Sequence, residues 1–270
     1  MAQCKIKEDE IGAVEGTLLY IESMNVKPYV AFGSAPGGGS QTNATYSPHR
    51  VKISNARDLQ RAPLLDDYGF QLLKHKTAAA LHTDAEAGDV GFSEAADIVV
   101  GATGAKRVLV FDHTIRRRAP DAIRQPSTRV HGDYTERSAL DRLETLTGQD
   151  VQALVKRRFA FINVWRPIRW PASDWPLALC DARSAADHDY VATDIVYPDR
   201  RGEIFALSYS PLHRWFYFPE MQLDEVVLIK CFDTRKDVAR LTPHTAFDNP
   251  LTPKSAPARE SVEFRTIAFF

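Results

Sequence analysis

Short runs in which apolar and polar residues alternate fill most of the second half of the chain, and this period of two is typical of strands. Prolines and aspartates separate the runs and indicate turns. Several short strands joined in this way predict a mainly β protein, either a β-sandwich or a jelly roll. Together with earlier strand-like runs in the first half, the predicted strands lie at residues 50–53, 69–73, 107–111, 159–165, 190–196, 204–210, 215–218, 226–232 and 262–270.

Two stretches have helical spacing instead. Leucines and valines recur at near-helical intervals over residues 135–158, and Gly148 is an expected break within them. A second helix is expected within residues 86–99, interrupted by Gly88 and Gly91. We therefore expect one or two flanking helices to brace one side of the β structure.

The beginning of the chain is less regular, so we expect residues 1–45 to form an N-terminal arm and residues 46–270 to form a single domain. Within the arm, residues 14–21 have the pattern of a strand or a short helix. Residues 33–40 contain four glycines and a proline, which indicate a flexible loop.

Composition narrows the class of function. The 270 residues carry a formal net charge of −1, which predicts no attraction to nucleic acid or to an anionic membrane. No apolar segment is long enough to span a bilayer, and no secretory leader is visible, so a cytoplasmic protein is expected. The three cysteines are far apart in sequence, which argues against a disulfide framework or a structural zinc site.

The sharpest local motif is His131-Gly132-Asp133. Side chains two apart on a strand point the same way, so the imidazole and the carboxylate can reach one metal ion. A third ligand from a distant histidine would complete the two-His-one-carboxylate triad of iron(II) oxygenases, which leaves coordination positions open for 2-oxoglutarate and O₂. A second His-x-Asp, at residues 82–84, lies in a less strand-like context, and we favour the first.

His213 and His244 are the candidates for the distal ligand. The far carboxylate of 2-oxoglutarate needs a cation when it is buried, and arginine binds carboxylates through two parallel hydrogen bonds. Arg259 and Ser261 follow His244 and would share one strand face, whereas no such pair follows His213. The sequence therefore favours His244. Taken alone, Arg259 would be better explained as a surface ion-pair partner of Glu260 or Glu263.

Other residues are candidates for the surroundings of the metal. Asn163 either donates a hydrogen bond to 2-oxoglutarate or is a satisfied buried amide. Further candidates for substrate contacts come from two aromatic-rich segments, which equally suit a hydrophobic core. These candidates are Trp165, Arg166, His213, Trp215 and Tyr217.

At these residues the chain resembles the hydroxylase/desaturase family that includes the AsaB-type fungal oxidases, fungal gibberellin desaturases and the CmcJ component of cephamycin 7-methoxylation. The similar segments lie at residues 111–116, 131–135, 163–168, 176–181, 213–219, 224–225, 244–247 and 259–265. The resemblance implies a double-stranded β-helix, and an iron(II)/2-oxoglutarate-dependent dioxygenase of secondary-metabolite biosynthesis that hydroxylates, desaturates or cyclises a small molecule. It gives His131, Asp133 and His244 to the iron and Arg259 to 2-oxoglutarate.

Two other classes of function stay open on the sequence. One is a metal-independent small-molecule-binding jelly roll, and the other is a zinc hydrolase that uses the same ligands. The expected partners are a small-molecule substrate and O₂, with neither nucleic acid nor membrane, and a homodimer stays open. The substrate itself is not encoded in any recognisable motif.

Overall fold

The structure is a computed structural model, and it describes residues 12–32, 41–148 and 151–270. The described chain forms two β-sheets, whose strands are numbered in chain order. The large sheet has nine strands, in the spatial order β1 (Ala13–Ile21), β3 (Tyr46–Asn55), β11 (Trp215–Tyr217), β8 (Leu177–Cys180), β13 (His244–Ala246), β6 (His131–Gly132), β10 (Arg201–Leu207), β9 (Tyr190–Val196) and β2 (Tyr29–Ala31).

The small sheet has five strands, and all of its pairings are antiparallel. Their spatial order is β4 (Phe70–Lys74), β12 (Glu225–Asp233), β7 (Phe159–Pro167), β14 (Glu260–Phe269) and β5 (Arg107–Arg117). The helices are α1 (Asp84–Glu86), a π-helical turn (Ala87–Gly91), α2 (Phe92–Thr103), α3 (Glu136–Thr147) and α4 (Val151–Leu154). Strands outnumber helices along the chain, so the prediction of a mainly β jelly roll with flanking helices is confirmed.

Strand β7 shows how the two sheets are held together. All nine of its residues are buried, because each face of the strand packs against a different layer. Phe161 and Trp165 face the large sheet and join a core that includes Leu179 of β8. Ile162, on the opposite face, belongs to a second core that α2 completes. β7 is therefore the central strand of the sandwich. Burial of one such side chain contributes roughly 1.5–3 kcal/mol.

The helical segment expected within residues 86–99 begins earlier and ends later than predicted, and Gly88 and Gly91 lie in the π-helical turn that separates α1 from α2. The π-helical turn Ala87–Gly91 leads directly into α2. A Cβ at Gly91 would lie 2.5 Å from Cζ of Phe264, so this glycine allows the helix to approach the small sheet. The helix over 135–158 does break near Gly148, as predicted, into α3 and α4.

Residues 14–21 form a strand, which settles the alternative left open by the sequence. β1 pairs with β3 along its whole length, from Ala13 opposite Ser54 to Ile21 opposite Tyr46. The division into an arm and a domain at residue 45 stays a prediction, although β1 and β2 are the edge strands of the large sheet. The expected loop over 33–40 lies outside the described residues. No described helix is long and apolar enough to cross a membrane.

Candidate metal centre

Two histidines meet on adjacent strands of the large sheet. His131 of β6 lies directly opposite His244 of β13 in the antiparallel register, although 112 positions separate them in the sequence. Cross-strand partners have neighbouring Cβ atoms, and the two ring centroids are 4.5 Å apart. The pairing of β6 with β13 thus brings a local motif and a distant histidine to one place.

A hydrogen bond to a backbone carbonyl orients each imidazole. Nδ1 of His131 is 2.8 Å from the carbonyl oxygen of Arg129, and Nδ1 of His244 is 3.0 Å from that of Thr242. A carbonyl oxygen only accepts, so in each ring Nδ1 carries the proton and donates. In the neutral form of each ring, Nε2 is then the nitrogen with the lone pair that a metal ion requires.

Asp133 offers an oxygen near both imidazoles. Its Oδ1 is 3.7 Å from Nε2 of His131, and its Oδ2 is 3.9 Å from Nε2 of His244. One atom from each of the three residues lies within 4.8 Å of the other two, a spacing at which a single ion can bind all of them. Gly132 between the two ligands is tightly packed, since a Cβ there would lie 2.7 Å from Cδ1 of Leu241.

Two side chains donate to the same oxygen of the Asp133 carboxylate. Nδ2 of Asn163 donates to Oδ2 at 2.6 Å, and Sγ of Cys231 donates to the same oxygen at 3.3 Å. Oδ1 is then the oxygen left toward His131. Asn163 is thus a satisfied buried amide that orients a ligand, the second of the two roles the sequence allowed. A hydrogen bond from Asn163 to 2-oxoglutarate stays a prediction.

The electrostatics match these roles. Burial, and next the neighbouring His244, lower the pKa of His131 to about 4, so its ring is neutral at pH 7. Burial alone would raise the pKa of Asp133, but His244, His131 and Arg265 outweigh it and keep the carboxyl ionised. Burial, together with Asp133, raises the pKa of Cys231, so the thiol stays protonated and able to donate.

Arg259 and Ser261 lie at the start of β14, and both are almost fully buried. The backbone N–H of Arg259 donates to Asp174 at 3.0 Å, and its Nη1 donates to the carbonyl of Trp175. Nε of Arg259 and Oγ of Ser261, by contrast, are buried without a hydrogen-bond partner. Burial, and next Arg116, lower the pKa of Arg259 to about 9, which still leaves the guanidinium charged at pH 7.

A cleft joins these two groups of residues. It is partly open to solvent, has a cavity volume of about 20 Å³ in this structure, and reaches from the two histidines to Arg259. A buried polar atom without a partner costs roughly 1–3 kcal/mol, so Nε of Arg259 and Oγ of Ser261 are suited to an anionic ligand in the cleft. The cleft is lined by Arg116, Ser127, His131, Trp165, Leu177, His244, Thr245, Ala246, Arg259 and Glu263.

Of the candidates for substrate contacts, the structure brings only Trp165 to this cleft. Trp215 and Tyr217 belong to a separate core cluster, with Nε1 of Trp215 donating to the hydroxyl of Tyr20 at 2.7 Å. The aromatic run therefore fills a core, because β11 lies between β3 and β8 and all three of its residues are buried. Neither aromatic residue lines the cleft, and their contacts with a substrate stay a prediction.

Arg166 and His213 also lie elsewhere. Arg166 follows Trp165 on β7 and so points to the opposite face, where Nη2 donates to the carbonyls of His75 and Leu223. His213 is paired with Asp189 at 3.1 Å and is absent from the group of ligand atoms around Asp133. Neither Arg166 nor His213 lines the cleft, so their substrate contacts also stay predictions.

The second His-x-Asp is not a ligand pair either. Thr83 caps helix α1 in a capping box with Glu86, so the tripeptide begins a helix and has no strand alternation. Asp84 contacts Nε2 of His113 at 2.9 Å instead of sharing an atom with His82.

Sequence reasoning missed three charged or polar residues beside the site: Arg116, Glu263 and Cys231. Glu263 shares one face of β14 with Arg259 and Ser261, so the period of two that selected that pair also applies to it. Arg116 lies opposite Ser261 in the pairing of β5 with β14, which only the fold reveals. Cys231 approaches Asp133 at an irregularity of β12 between Lys230 and Phe232 that has no sequence signal.

Comparisons with known proteins agree with this geometry. A family model described as an oxidoreductase/YMDC permease-like domain (YDMC) matches residues 18–269. The Fe(II)/2-oxoglutarate-dependent dioxygenase nvfI of Aspergillus novofumigatus is 31% identical over 242 residues, which are 86% of this chain and 87% of that protein. The hydroxylase/desaturase CTB9 of Cercospora beticola is 34% identical over 254 residues, 83% of this chain and 78% of its own. This chain belongs to the hydroxylase/desaturase family of iron(II)/2-oxoglutarate-dependent oxygenases.

The fold comparison extends the similarity over nearly the whole chain. The structure of the iron and alpha-ketoglutarate-dependent endoperoxidase NvfI superposes with a TM-score of 0.87 at 29% sequence identity, covering 95% of this chain and 98% of that one. The family's metal and cosubstrate fit the residues present here. Two imidazoles with one carboxylate suit iron(II), and the unpartnered Nε of Arg259 and Oγ of Ser261 suit the second carboxylate of 2-oxoglutarate.

Proposed function

We propose that this oxygenase binds iron(II) through His131, Asp133 and His244, holds 2-oxoglutarate with Arg259 and Ser261, and hydroxylates, desaturates or cyclises a small organic molecule of secondary metabolism. One observation carries the proposal. His131, His244 and Arg259 line a single cleft, one atom each of His131, Asp133 and His244 converge, and Nε of Arg259 and Oγ of Ser261 are buried without a partner.

Each residue of the metal end has a definite task. His131 and His244 offer Nε2 because backbone carbonyls hold the proton on Nδ1. Asp133 offers Oδ1 because Asn163 and Cys231 occupy Oδ2. These three residues would hold iron(II), and a set of two histidines and one carboxylate would leave the ion open to the cosubstrate and O₂.

At the other end of the cleft, Arg259 and Ser261 bind and orient the distal carboxylate of the cosubstrate. The contact from Nη1 of Arg259 to Trp175 fixes the guanidinium, and the ring of Trp165 lies 5.5 Å from its Cζ. Because little of this subsite is exposed, the ion pair forms where water competes weakly. Binding here also fixes the distance of the keto acid from the metal ligands.

Iron(II) with 2-oxoglutarate supplies the oxidation by O₂ that removes hydrogen from an unactivated carbon and releases succinate and CO₂. The chain supplies the surroundings for that oxidation. Trp165 and Leu177 line the cleft and also border a second, apolar cavity with Leu179, Phe218 and Met221. These apolar walls exclude water from the side of the cleft on which a hydrocarbon substrate would lie.

An anaerobic titration tests the proposal without knowledge of the substrate. Protein freed of metal receives iron(II) and then 2-oxoglutarate, and the visible absorption is recorded. We expect a weak metal-to-ligand band that appears only with both additions and is absent in His244→Ala. A metal-independent binding protein or a zinc hydrolase gives no such band. Its absence from the wild-type protein, with iron binding verified, would overturn the proposal.

A further inference from the structure

Arg116 is a second guanidinium in the cleft. It lies on β5 directly opposite Ser261 of β14, and its side chain lines the cleft together with that of Arg259. The two arginines therefore approach Ser261 from different strands. The role proposed for Arg259 leaves this second cation unexplained.

The charge of Arg116 is poorly compensated by the protein. Its Nη1 donates to the carbonyl of Gln125 at 2.9 Å, and no carboxylate of the described residues lies within 4.0 Å of its guanidinium. An arginine has five N–H donors, and those of Arg116 are not paired with a carboxylate of the described residues. Partial burial of a guanidinium without an anion is unfavourable, and burial lowers the pKa of Arg116.

Glu263 also lines the cleft and could balance the charge of Arg116, but its carboxylate is already paired with another arginine. Its Oε1 accepts from Nη2 of Arg265 at 3.0 Å, and Arg265 also binds Asp112 at 2.9 Å. The region around Ser261 consequently holds two cations, Arg116 and Arg259, and little negative charge. Such a region is suited to a carboxylate that arrives with a ligand.

We propose that Arg116 is the second cation for the distal carboxylate of 2-oxoglutarate, which lies between two guanidiniums with the hydroxyl of Ser261 beside it. The inference rests on the proposed function, because it deepens the cosubstrate subsite. The position opposite Ser261 favours this end of the cosubstrate over the keto-acid end, where the three metal ligands converge.

Equilibrium binding to the manganese(II)-loaded protein tests the inference without turnover. Two ligands are compared by calorimetry: 2-oxoglutarate, and 2-oxopentanoate, which has the same chain length and no distal carboxylate. We expect Arg116→Gln to weaken binding of 2-oxoglutarate roughly 10- to 100-fold, the loss of a charge-assisted hydrogen bond. Binding of 2-oxopentanoate should stay within about threefold of wild type.

Arg117→Gln is the matched control. It removes the same charge from the next position of β5, but Arg117 points to the opposite face and pairs with Glu260 at 2.9 Å. Both affinities should therefore be unchanged in this variant. Arg259→Gln is the positive control and should show the same selective loss as Arg116→Gln.

The other outcomes are informative as well. Equal losses for both ligands would place Arg116 at the keto-acid end and overturn the inference, and so would unchanged affinity for both. If Arg116→Gln does not fold, Arg116→Lys keeps the charge but not the planar fork, and a selective loss for 2-oxoglutarate of several-fold is then expected. Failure of the wild-type protein to bind 2-oxoglutarate would instead contradict the proposed function itself.

Discussion

His244 and His213 are two buried histidines, each near an aspartate, with opposite local arrangements. Both ring nitrogens of His213 are engaged, Nδ1 near the hydroxyl of Tyr20 at 3.4 Å and Nε2 with Asp189 at 3.1 Å. In His244 only Nδ1 has a close partner, the carbonyl of Thr242, while Nε2 is 3.9 Å from Asp133. The first histidine is satisfied by the protein, and the second has a free lone pair.

This difference explains how one sequence uses the same residue types for structure and for chemistry. A buried polar group normally pairs with another protein group, as His213 does in its stack with Tyr20. A metal ligand must instead be oriented by one nitrogen and left unpaired at the other. His131 has the same arrangement as His244, so the cross-strand pair shares one design that His213 lacks.

Removal of each histidine is the strongest way to break this comparison. His244→Ala removes one of three ligands, and we expect iron(II) binding and 2-oxoglutarate turnover to fall by at least about 1000-fold. His213→Ala, the matched control, should bind iron normally and lose only stability. Calorimetric metal titration of both variants checks this. Normal iron affinity in His244→Ala would contradict the ligand assignment.

Loss of the cation at the far end of the cleft should have the next largest effect. Arg259→Gln leaves the ligand triad intact, so iron(II) affinity should change little. The requirement for 2-oxoglutarate should rise roughly 100-fold, because truncation of one partner of a buried charge pair costs about 2–5 kcal/mol. Titration of activity with 2-oxoglutarate at saturating iron measures this. Equal losses of iron and 2-oxoglutarate affinity would count against the role of Arg259.

A smaller effect is expected from the donor behind Asp133. Asn163→Ala leaves all three ligands and removes the 2.6 Å hydrogen bond to Oδ2, so iron(II) affinity should fall roughly 10- to 100-fold. A competition titration with a chelator gives the value. Since Cys231 still donates to the same oxygen, its removal together with Asn163 should weaken iron further. Unchanged affinity in Asn163→Ala would show that the carboxylate needs no such support.

The smallest effect concerns stability at His213. Burial lowers the pKa of this histidine, although Asp189 opposes the shift. The unfolded chain therefore takes up a proton more readily than the folded one, and the wild-type protein loses stability as pH falls through the ordinary histidine range near 6.5. His213→Phe keeps the stack with Tyr20 but does not titrate.

We expect His213→Phe to cost about 1–2 kcal/mol at pH 7, because Asp189 loses a partner. The difference in the free energy of unfolding between the variant and wild type should then narrow toward pH 5, since only the wild-type protein loses stability by keeping a histidine neutral in the folded state. Urea unfolding of both proteins in chelator measures the gap at each pH. A gap that widens toward low pH would show that Asp189 stabilises a protonated His213 instead.

Much of the site was accessible from the sequence because it depends on the strand period. His131 and Asp133 are two positions apart, and so are Arg259 and Ser261, and one residue of each pair, His131 or Arg259, lines the cleft. His244 was preferred only because Arg259 follows it at a suitable distance. The convergence of His131 with His244 depends on strand order, which alternation does not encode.

The remainder depends on contacts between distant strands. Arg116 is one of three consecutive arginines, and only the register of β5 against β14 distinguishes it from Arg117. The role of Asn163 required its partner to be known, since a buried amide suits either a ligand or a neighbouring side chain. For Trp215, hydrophobicity alone does not tell a pocket wall from a core, and its neighbours decided for the core.

A crystal structure of the protein with manganese(II) and 2-oxoglutarate tests the central claim most directly. The account predicts one ion bound by Nε2 of His131, Nε2 of His244 and an oxygen of Asp133. The keto acid should complete the coordination, with its far carboxylate at Arg259 and Ser261. An ion held elsewhere, or a cosubstrate whose far end lies away from Arg259, would contradict it.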